Sequence, residues 1–253
     1  MKFYTGIAAF YDDIFPYNPQ QKAFVESFGI HSYKATLLDV GCGTGSLSLN
    51  LSESFGTLIG IDTDKEMLRL AKIKAMEFKA GRRENLEELG NWVFLQKGML
   101  DLGTEFVPGS FNAVLCFGNT LVHLSTQEEV SSFLHQAYEI LMPGGCLMIQ
   151  IINYDRIIGQ GLKGLPALEN ENIKFERIYH YDSDPSVISF QTKLTLKESG
   201  GVIENEIPLL AILPGQLKEI IEELGFADLL EFGNFKKDPF TKDSQLYIVV
   251  AKK

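Results

Sequence analysis

The chain has 253 residues, 45% hydrophobic and 22% charged, proportions that allow one large domain with a substantial core. Its 33 acidic residues outweigh 23 basic ones for a net charge of −10, which argues against a general nucleic-acid surface and against docking to anionic lipid. Cys42, Cys116 and Cys146 show no paired spacing and read as buried thiols of a reducing, cytoplasmic compartment, not as a disulfide framework.

No run approaches the about 18 apolar residues of a membrane span, and MKFYTGIAAFYDD meets acids at once instead of a cleavage site. Residues 3 to 28 open with Phe3, Tyr4, Phe10, Tyr11, Phe15 and Tyr17, broken by Pro16 and Pro19, before a helix from Gln20 to Phe28. Such aromatics either staple the terminal helix to the core or cover a ligand.

The organising stretch is Leu37 to Leu51, LLDVGCGTGSLSLNL. An apolar strand runs through Asp39 into Gly41, Gly43 and Gly45, and a helix starts at Ser46. The glycines let the backbone turn tightly against a ligand, and the free NH groups of the helix face its polar end. The spacing is not G-x-G-x-x-G, because Ser46 stands where the third glycine of a dinucleotide fingerprint belongs. Asp39 suits an ammonium group, and Asp62, ending the next strand TLIGID, suits two ribose hydroxyls. Together these describe S-adenosylmethionine, with S-adenosylhomocysteine as its demethylated form.

Thr63-Asp64-Lys65-Glu66 has capping-box spacing for a helix to about Lys79, with Met67, Leu68, Ala71, Ala75 and Phe78 at helical intervals. Arg82 to Leu89 reads as a charged surface turn. NWVFLQ is a third strand ending at Lys97, Gly98, Met99, Leu100 and Asp101, and FNAVLCFG, Phe111 to Gly118, is a fully apolar fourth strand of a parallel sheet. That strand delivers Asn119, Thr120 and His123 to the carboxyl edge; one helical turn would put Asn119 and His123 on one face. A capping box at Thr126 opens a helix to Leu141, stopped by Pro143-Gly144-Gly145. A fifth strand, CLMIQII, reaches Asn153, Tyr154 and Asp155. Gln160 to Asn172 reads as a mobile connection. IKFERIYHYD, VISFQTKLTL and VIENEIPLLAI then alternate as antiparallel strands separated by DSDP and ESGG turns, where His180 and Tyr181 either face a pocket or pack. A helix carrying Leu217, Ile220, Ile221 and Leu224 precedes FADLLEF and QLYIVVA, the last two strands.

The glycine loop with Asp39 and Asp62 in order resembles the class I S-adenosylmethionine-dependent methyltransferases. FNAVLCFGNTLVHL through LMPGGCLMIQIINYD is similar, within them, to the glycine N-methyltransferase group of small-molecule enzymes. The resemblance implies an α/β, Rossmann-like seven-stranded sheet, mostly parallel with its last strand antiparallel, and an antiparallel β insertion after the fifth strand. It implies one domain over 1–253, with a lid and helix in 1–34, the cofactor core in 35–158, a substrate cover in 159–212 and a closing helix and strand pair in 213–253. Cofactor contacts then fall to Tyr11, Asp39, Gly41, Cys42, Gly43, Gly45, Asp62, Thr63, Met67, Gly98, Met99, Leu100, Cys116, Phe117 and Gly118. Asn119, His123 and Tyr11 become catalytic candidates, and Asn119, His123, Tyr154 and Tyr17 substrate contacts. Glycine-type enzymes carry an arginine just before the Asn-Tyr-Asp, where this chain has Ile152, and an alkyl group cannot replace a guanidinium fork.

The expected activity is methyl transfer to a small-molecule amine, driven by positioning. An O- or C-methyltransferase on an aromatic or lipid-like acceptor, and a silent cofactor-binding regulator, are the competing readings. No HExxH, Walker loop or G-x-S-x-G elbow occurs, so no metal is expected. GNTL stands where base methyltransferases carry Asn/Asp-Pro-Pro-Tyr/Phe, which disfavours nucleic acid. A homodimer is compatible with this reading.

Overall fold

The computed structural model describes residues 2–81, 90–181 and 186–253. The charged turn expected at Arg82 to Leu89 and the DSDP turn at 182–185 lie outside the described residues. The chain opens with α1 (Lys2–Ile7), a 3-10 turn over Ala8–Phe10, α2 (Tyr11–Ile14) and α3 (Pro19–Glu26). Asn18 starts α3 by accepting from the Gln20 NH at 3.0 Å, with Pro19 in the first turn, where a missing NH costs nothing.

Alternating strands and helices follow: β1 (Ser32–Val40), α4 (Ser46–Leu51), β2 (Phe55–Asp62), α5 (Lys65–Gly81), β3 (Asn91–Gln96), α6 (Leu102–Glu105), β4 (Phe111–Cys116), α7 (Gln127–Ile140) and β5 (Leu141–Ile152). After α8 (Tyr154–Gly159) come β6 (Gly164–Glu169), β7 (Ile173–His180), β8 (Val187–Leu196) and β9 (Val202–Leu210). The chain ends in α9 (Pro214–Glu223), β10 (Ala227–Phe232) and β11 (Leu246–Lys252).

The main sheet has seven strands in the order β10-β11-β5-β4-β1-β2-β3. β1 to β5 run parallel, and β11 is antiparallel to both its neighbours, so the expected fold class is the one observed. β1 pairs with β2 on one side and with β4 on the other, Asp39 lying beside Gly60 and Leu115. This order reversal opens a crevice at the carboxyl ends of the two strands, the usual place for a ligand in an open α/β sheet. β4 is buried on both faces, because α7 and α9 cover one side of the sheet and α3 and α4 the other. Thr126 caps α7 from outside, accepting from the Glu129 NH at 3.2 Å, while the Glu129 carboxylate accepts from the Ser125 NH at 2.7 Å.

A second sheet, β6-β7-β8-β9, is antiparallel. Ile173, Phe175, Tyr179, Ile188, Leu194 and Leu209 are buried on its inner face, the period-2 pattern its sequence shows. Three expectations need correction. Gln160 to Asn172 is not simply a connection, because β6 forms within it; an edge strand tolerates Pro166, and its register with β7 slips between Leu165 and Leu168. β5 begins at Leu141, running through Pro143-Gly144-Gly145. Asn119 and His123 do not share a helical turn: Asn119 is left-handed, at φ 63, and a short 3-10 turn covers Leu121–His123.

Candidate functional site

The glycine loop leaves β1 tied to β2, since the Gly41 and Cys42 NH groups both donate to the Ile61 carbonyl, at 2.8 and 3.0 Å. Gly41 has φ +73, and a Cβ there would lie 2.3 Å from the Thr120 methyl carbon. Gly43 has φ +56, and a Cβ on it would approach the Tyr11 ring at 3.4 Å. Both positions need glycine for backbone conformation, and Gly41 needs it for space as well. Gly45, at φ +74, needs glycine on both counts, as a Cβ would also meet Phe94 at 2.7 Å.

Two depressions flank this loop and share Tyr4, Tyr11, Gly41 and Gly118. One is lined also by Gly43, Asp62, Thr63, Met67, Met99 and His123. The other reaches Asp39, Cys42, Phe117 and Tyr17. Two carboxylates therefore lie in opposite arms of one crevice, on either side of a backbone that comes within reach of a ligand.

The Asp62 carboxylate accepts from the Gly43 NH at 3.0 Å and the Asp64 NH at 2.9 Å, which orients it at the end of β2. Burial raises its pKa against those bonds. Asp39 is 4% exposed and accepts from the Ser48 hydroxyl at 2.5 Å. Burial pushes its pKa up to about 6, against the lowering effect of Ser48. A cationic group in that arm would relieve the cost of a buried carboxylate.

His123 and Tyr4 share a hydrogen bond of 2.8 Å between Nε2 and the phenol. Burial pushes the His123 pKa down to about 4 and raises that of Tyr4. At neutral pH the pair is thus an uncharged imidazole and a protonated phenol; with the phenol as donor, Nε2 accepts and Nδ1 carries the ring proton. Tyr11, also held as a phenol by burial and by Asp62, stands edge-on to Tyr4 with ring centroids 6.3 Å apart.

Asn119 is committed elsewhere. Its Oδ1 accepts from the Ile152 NH at 2.9 Å and its Nδ2 donates to the fully buried Tyr154 hydroxyl at 3.1 Å. The Gly118 NH donates to the Gln150 side chain at 2.9 Å, so Asn119 and Gln150 brace the turn that presents Gly118 and His123. Cys116 is fully buried in the core. The Cys42 thiol points beneath the loop, where a Cβ on Gly60 would meet it at 2.9 Å. The Gly98 NH donates to Asp101 at 2.7 Å, so that acid caps its own turn, and Leu100 is 38% exposed outside the crevice. His180 bonds Gln191 on the outer face, and Tyr181 donates to the Ile157 and Leu162 carbonyls.

Thr120, Lys97 and Tyr4 also line the crevice, and of these only Tyr4 carries a sequence signal for it. Its signal was available, because Tyr4 and Tyr11 are seven apart, two helical turns. Asp12 was also missed. It accepts from Thr44 at 2.7 Å, Ser46 at 3.1 Å and Lys74 at 2.7 Å, pinning the N-terminal segment across the glycine loop.

Comparison with known proteins agrees with this architecture. A methyltransferase domain family matches residues 37–145. The chain is 28% identical over 232 residues to the glycine/sarcosine N-methyltransferase of Aphanothece halophytica, spanning 91% of this chain and 80% of that protein. An S-adenosylmethionine-dependent methyltransferase from Clostridium acetobutylicum ATCC 824 superposes with a TM-score of 0.77 at 15% identity, over 98% of each chain. A SAM-bound amino pentose methyltransferase from Micromonospora echinaspora superposes with a TM-score of 0.62 at 18% identity, over 94% of this chain and 93% of that one. The protein is a class I S-adenosylmethionine-dependent methyltransferase acting on small molecules. Within that class it is related to the glycine N-methyltransferases, and its cofactor is S-adenosylmethionine.

Proposed function

We propose that this enzyme methylates an amine nitrogen of its small-molecule acceptor. The observation that carries the reading is the uncharged His123–Tyr4 pair, set in the same crevice as Gly41, Gly43 and Asp62. Asp62 and the apolar Met67 and Met99 suit the adenosine end of the cofactor, and Asp39 its ammonium. Gly41, Gly43 and Gly118 bring backbone against the middle, and Tyr11 supplies an aromatic wall that favours a sulfonium. The two carboxylates in opposite arms fit the two polar ends of S-adenosylmethionine.

When bound, the cofactor supplies an electrophilic methyl group. The chain's task is to aim a neutral nitrogen lone pair at it in line with the leaving sulfur, about 3 to 3.5 Å away. A carbon–nitrogen bond forms as the carbon–sulfur bond breaks, and the positive charge passes from sulfur to nitrogen. The resulting ammonium sheds its proton to water after release. With a pKa near 4, His123 is too weak a base to hold that proton; it takes the Tyr4 hydroxyl proton as a hydrogen bond and so turns the Tyr4 oxygen to accept and direct an N–H of the acceptor. An uncharged imidazole also adds no repulsion to a cationic site.

Methyl-labelled S-adenosylmethionine incubated with the enzyme and fractionated cell extract tests this. Label on nitrogen of a small molecule is the expected result. Label on oxygen or carbon would replace nitrogen as the target, and no transfer despite tight cofactor binding would make the chain a regulator.

A further inference from the structure

The inner face of the second sheet carries a polar row that neither the cofactor crevice nor the packing uses. Arg177 of β7 pairs in register with Thr192 of β8, and Thr192 with Asn205 of β9. Tyr179 lies two residues along β7, on the same face. Four buried atoms here, Arg177 Nε, Tyr179 Oη, Thr192 Oγ1 and Asn205 Nδ2, have no hydrogen-bond partner among the described residues. Tyr179 is 1% and Thr192 4% exposed. Leaving one such group unpaired is costly, and four in one row is not how a packed interior is built.

The row faces the body of the enzyme. A Cβ on Gly6 of α1 would lie 3.7 Å from Asn205 Nδ2, and α1 also carries Tyr4. On one side of the row Phe175 and Leu194 pack with Ile7 and Ile14; on the other Ile188 and Leu209 join the main core. β9 packs against both α1, which carries Tyr4, and the 3-10 turn Leu121–His123, so the row lies behind the elements that present the Tyr4–His123 pair.

All four orphaned atoms belong to groups that donate hydrogen bonds, and one belongs to a cation. The Arg177 terminal nitrogen donates to the Pro166 carbonyl at 2.5 Å, yet its guanidinium has no carboxylate partner among the described residues, although it stays charged in a protein. A half-buried cation whose Nε is shut off from water, beside three neutral donors, is complemented by an oxyanion, which accepts from several donors at once.

We propose that Arg177, Tyr179, Thr192 and Asn205 bind an oxyanion, a carboxylate or a phosphate, carried by the methyl acceptor, whose amine end reaches the Tyr4–His123 pair. This rests on the amine reading of the crevice, and it makes the inner face of the insertion the part of the enzyme that selects its acceptor.

The test uses the full chain with S-adenosylhomocysteine bound and two matched pairs of probes, β-alanine against propylamine and phosphoethanolamine against ethanolamine. Binding is measured by calorimetry, independently of turnover. At least one oxyanion probe should bind tenfold or more tightly than its partner lacking the oxyanion, and the pair showing the advantage identifies carboxylate or phosphate. Arg177→Met should abolish the advantage and leave cofactor affinity within twofold. Thr192→Val, nearly isosteric, should reduce it severalfold even if Arg177→Met fails to fold. Equal binding within both pairs, no binding by any probe, or an advantage that survives these substitutions would overturn the proposal. Label transfer to an amine that lacks any oxyanion would sustain the methylation reading while removing this one; oxyanion binding without any transfer would do the reverse.

Discussion

Gly41 has room for a hydrogen and nothing larger. Gly41→Ala would place a methyl 2.3 Å from the Thr120 methyl carbon at φ +73, a strained position costing about 1–3 kcal/mol before any repacking. Its cofactor Kd should rise tenfold or more by calorimetry, and adding Thr120→Ala should recover only the steric part. His123 gives a second prediction at this scale. Its folded pKa of about 4 lies below the ordinary 6.5, so between those values the unfolded chain binds the extra proton. The stability it contributes is complete above pH 6.5 and is lost as pH falls through about 4. Asp39, raised from 3.8 to about 6, acts with the opposite sign: its contribution is complete below pH 3.8 and is lost as pH rises through about 6. In urea titrations from pH 4 to 6.5, His123→Gln should therefore flatten the acid loss, and Asp39→Asn should steepen the rise in stability with pH. A His123→Gln profile superposing on the wild type would refute the assigned burial. At this scale the glycine loop, Asp39 and Asp62 are legible in the sequence because their chemistry is local to the backbone. Asn119 is not. A left-handed φ turns its amide toward Ile152 and Tyr154, and nothing in the spacing reveals that direction.

The elements were legible wherever period and caps agreed. α7 is announced by Thr126 and Glu129, and β4 by the apolar run Ala113 to Phe117. β6 was hidden because Gly164 and Pro166 erase the period that an edge strand does not need, and the turn after β4 tightened to 3-10 because Asn119 had already left the right-handed region. α3 shows what a single aromatic can do for the sheet's second face. Phe24 is 1% exposed and meets Phe28, Phe117, Phe232 and Phe235 with ring centroids 5.1 to 6.4 Å apart. Phe24→Ala should cost about 3–5 kcal/mol of stability, read as a shift in the urea midpoint at an unchanged slope. Because Phe117 immediately precedes Gly118, the same variant should weaken cofactor binding severalfold, whereas an equally destabilising truncation on the far face, such as Leu217→Ala in α9, should not.

For the molecule as a whole, the charge of −10 acts differently on the two reactants. S-adenosylmethionine carries a sulfonium, an ammonium and a carboxylate, so it is a net cation that the protein's field draws in. An acceptor with a net negative charge is repelled at long range, and under the proposal above it is held at short range by Arg177 with its three neutral neighbours. Salt shortens the Debye length from about 30 Å at 0.01 M to about 8 Å at 0.15 M, which screens the long-range field and leaves buried contacts nearly untouched. Over that interval the association rate of the cofactor should fall severalfold, measured by stopped-flow mixing with a fluorescent analogue of the same charge. The kcat/KM for a net-anionic acceptor should rise, while that for a zwitterionic one stays level. The slopes thus report the acceptor's charge without its identity. If the cofactor rate also proved independent of salt, long-range steering would play no part in its capture, and the acidic surface would serve solubility alone.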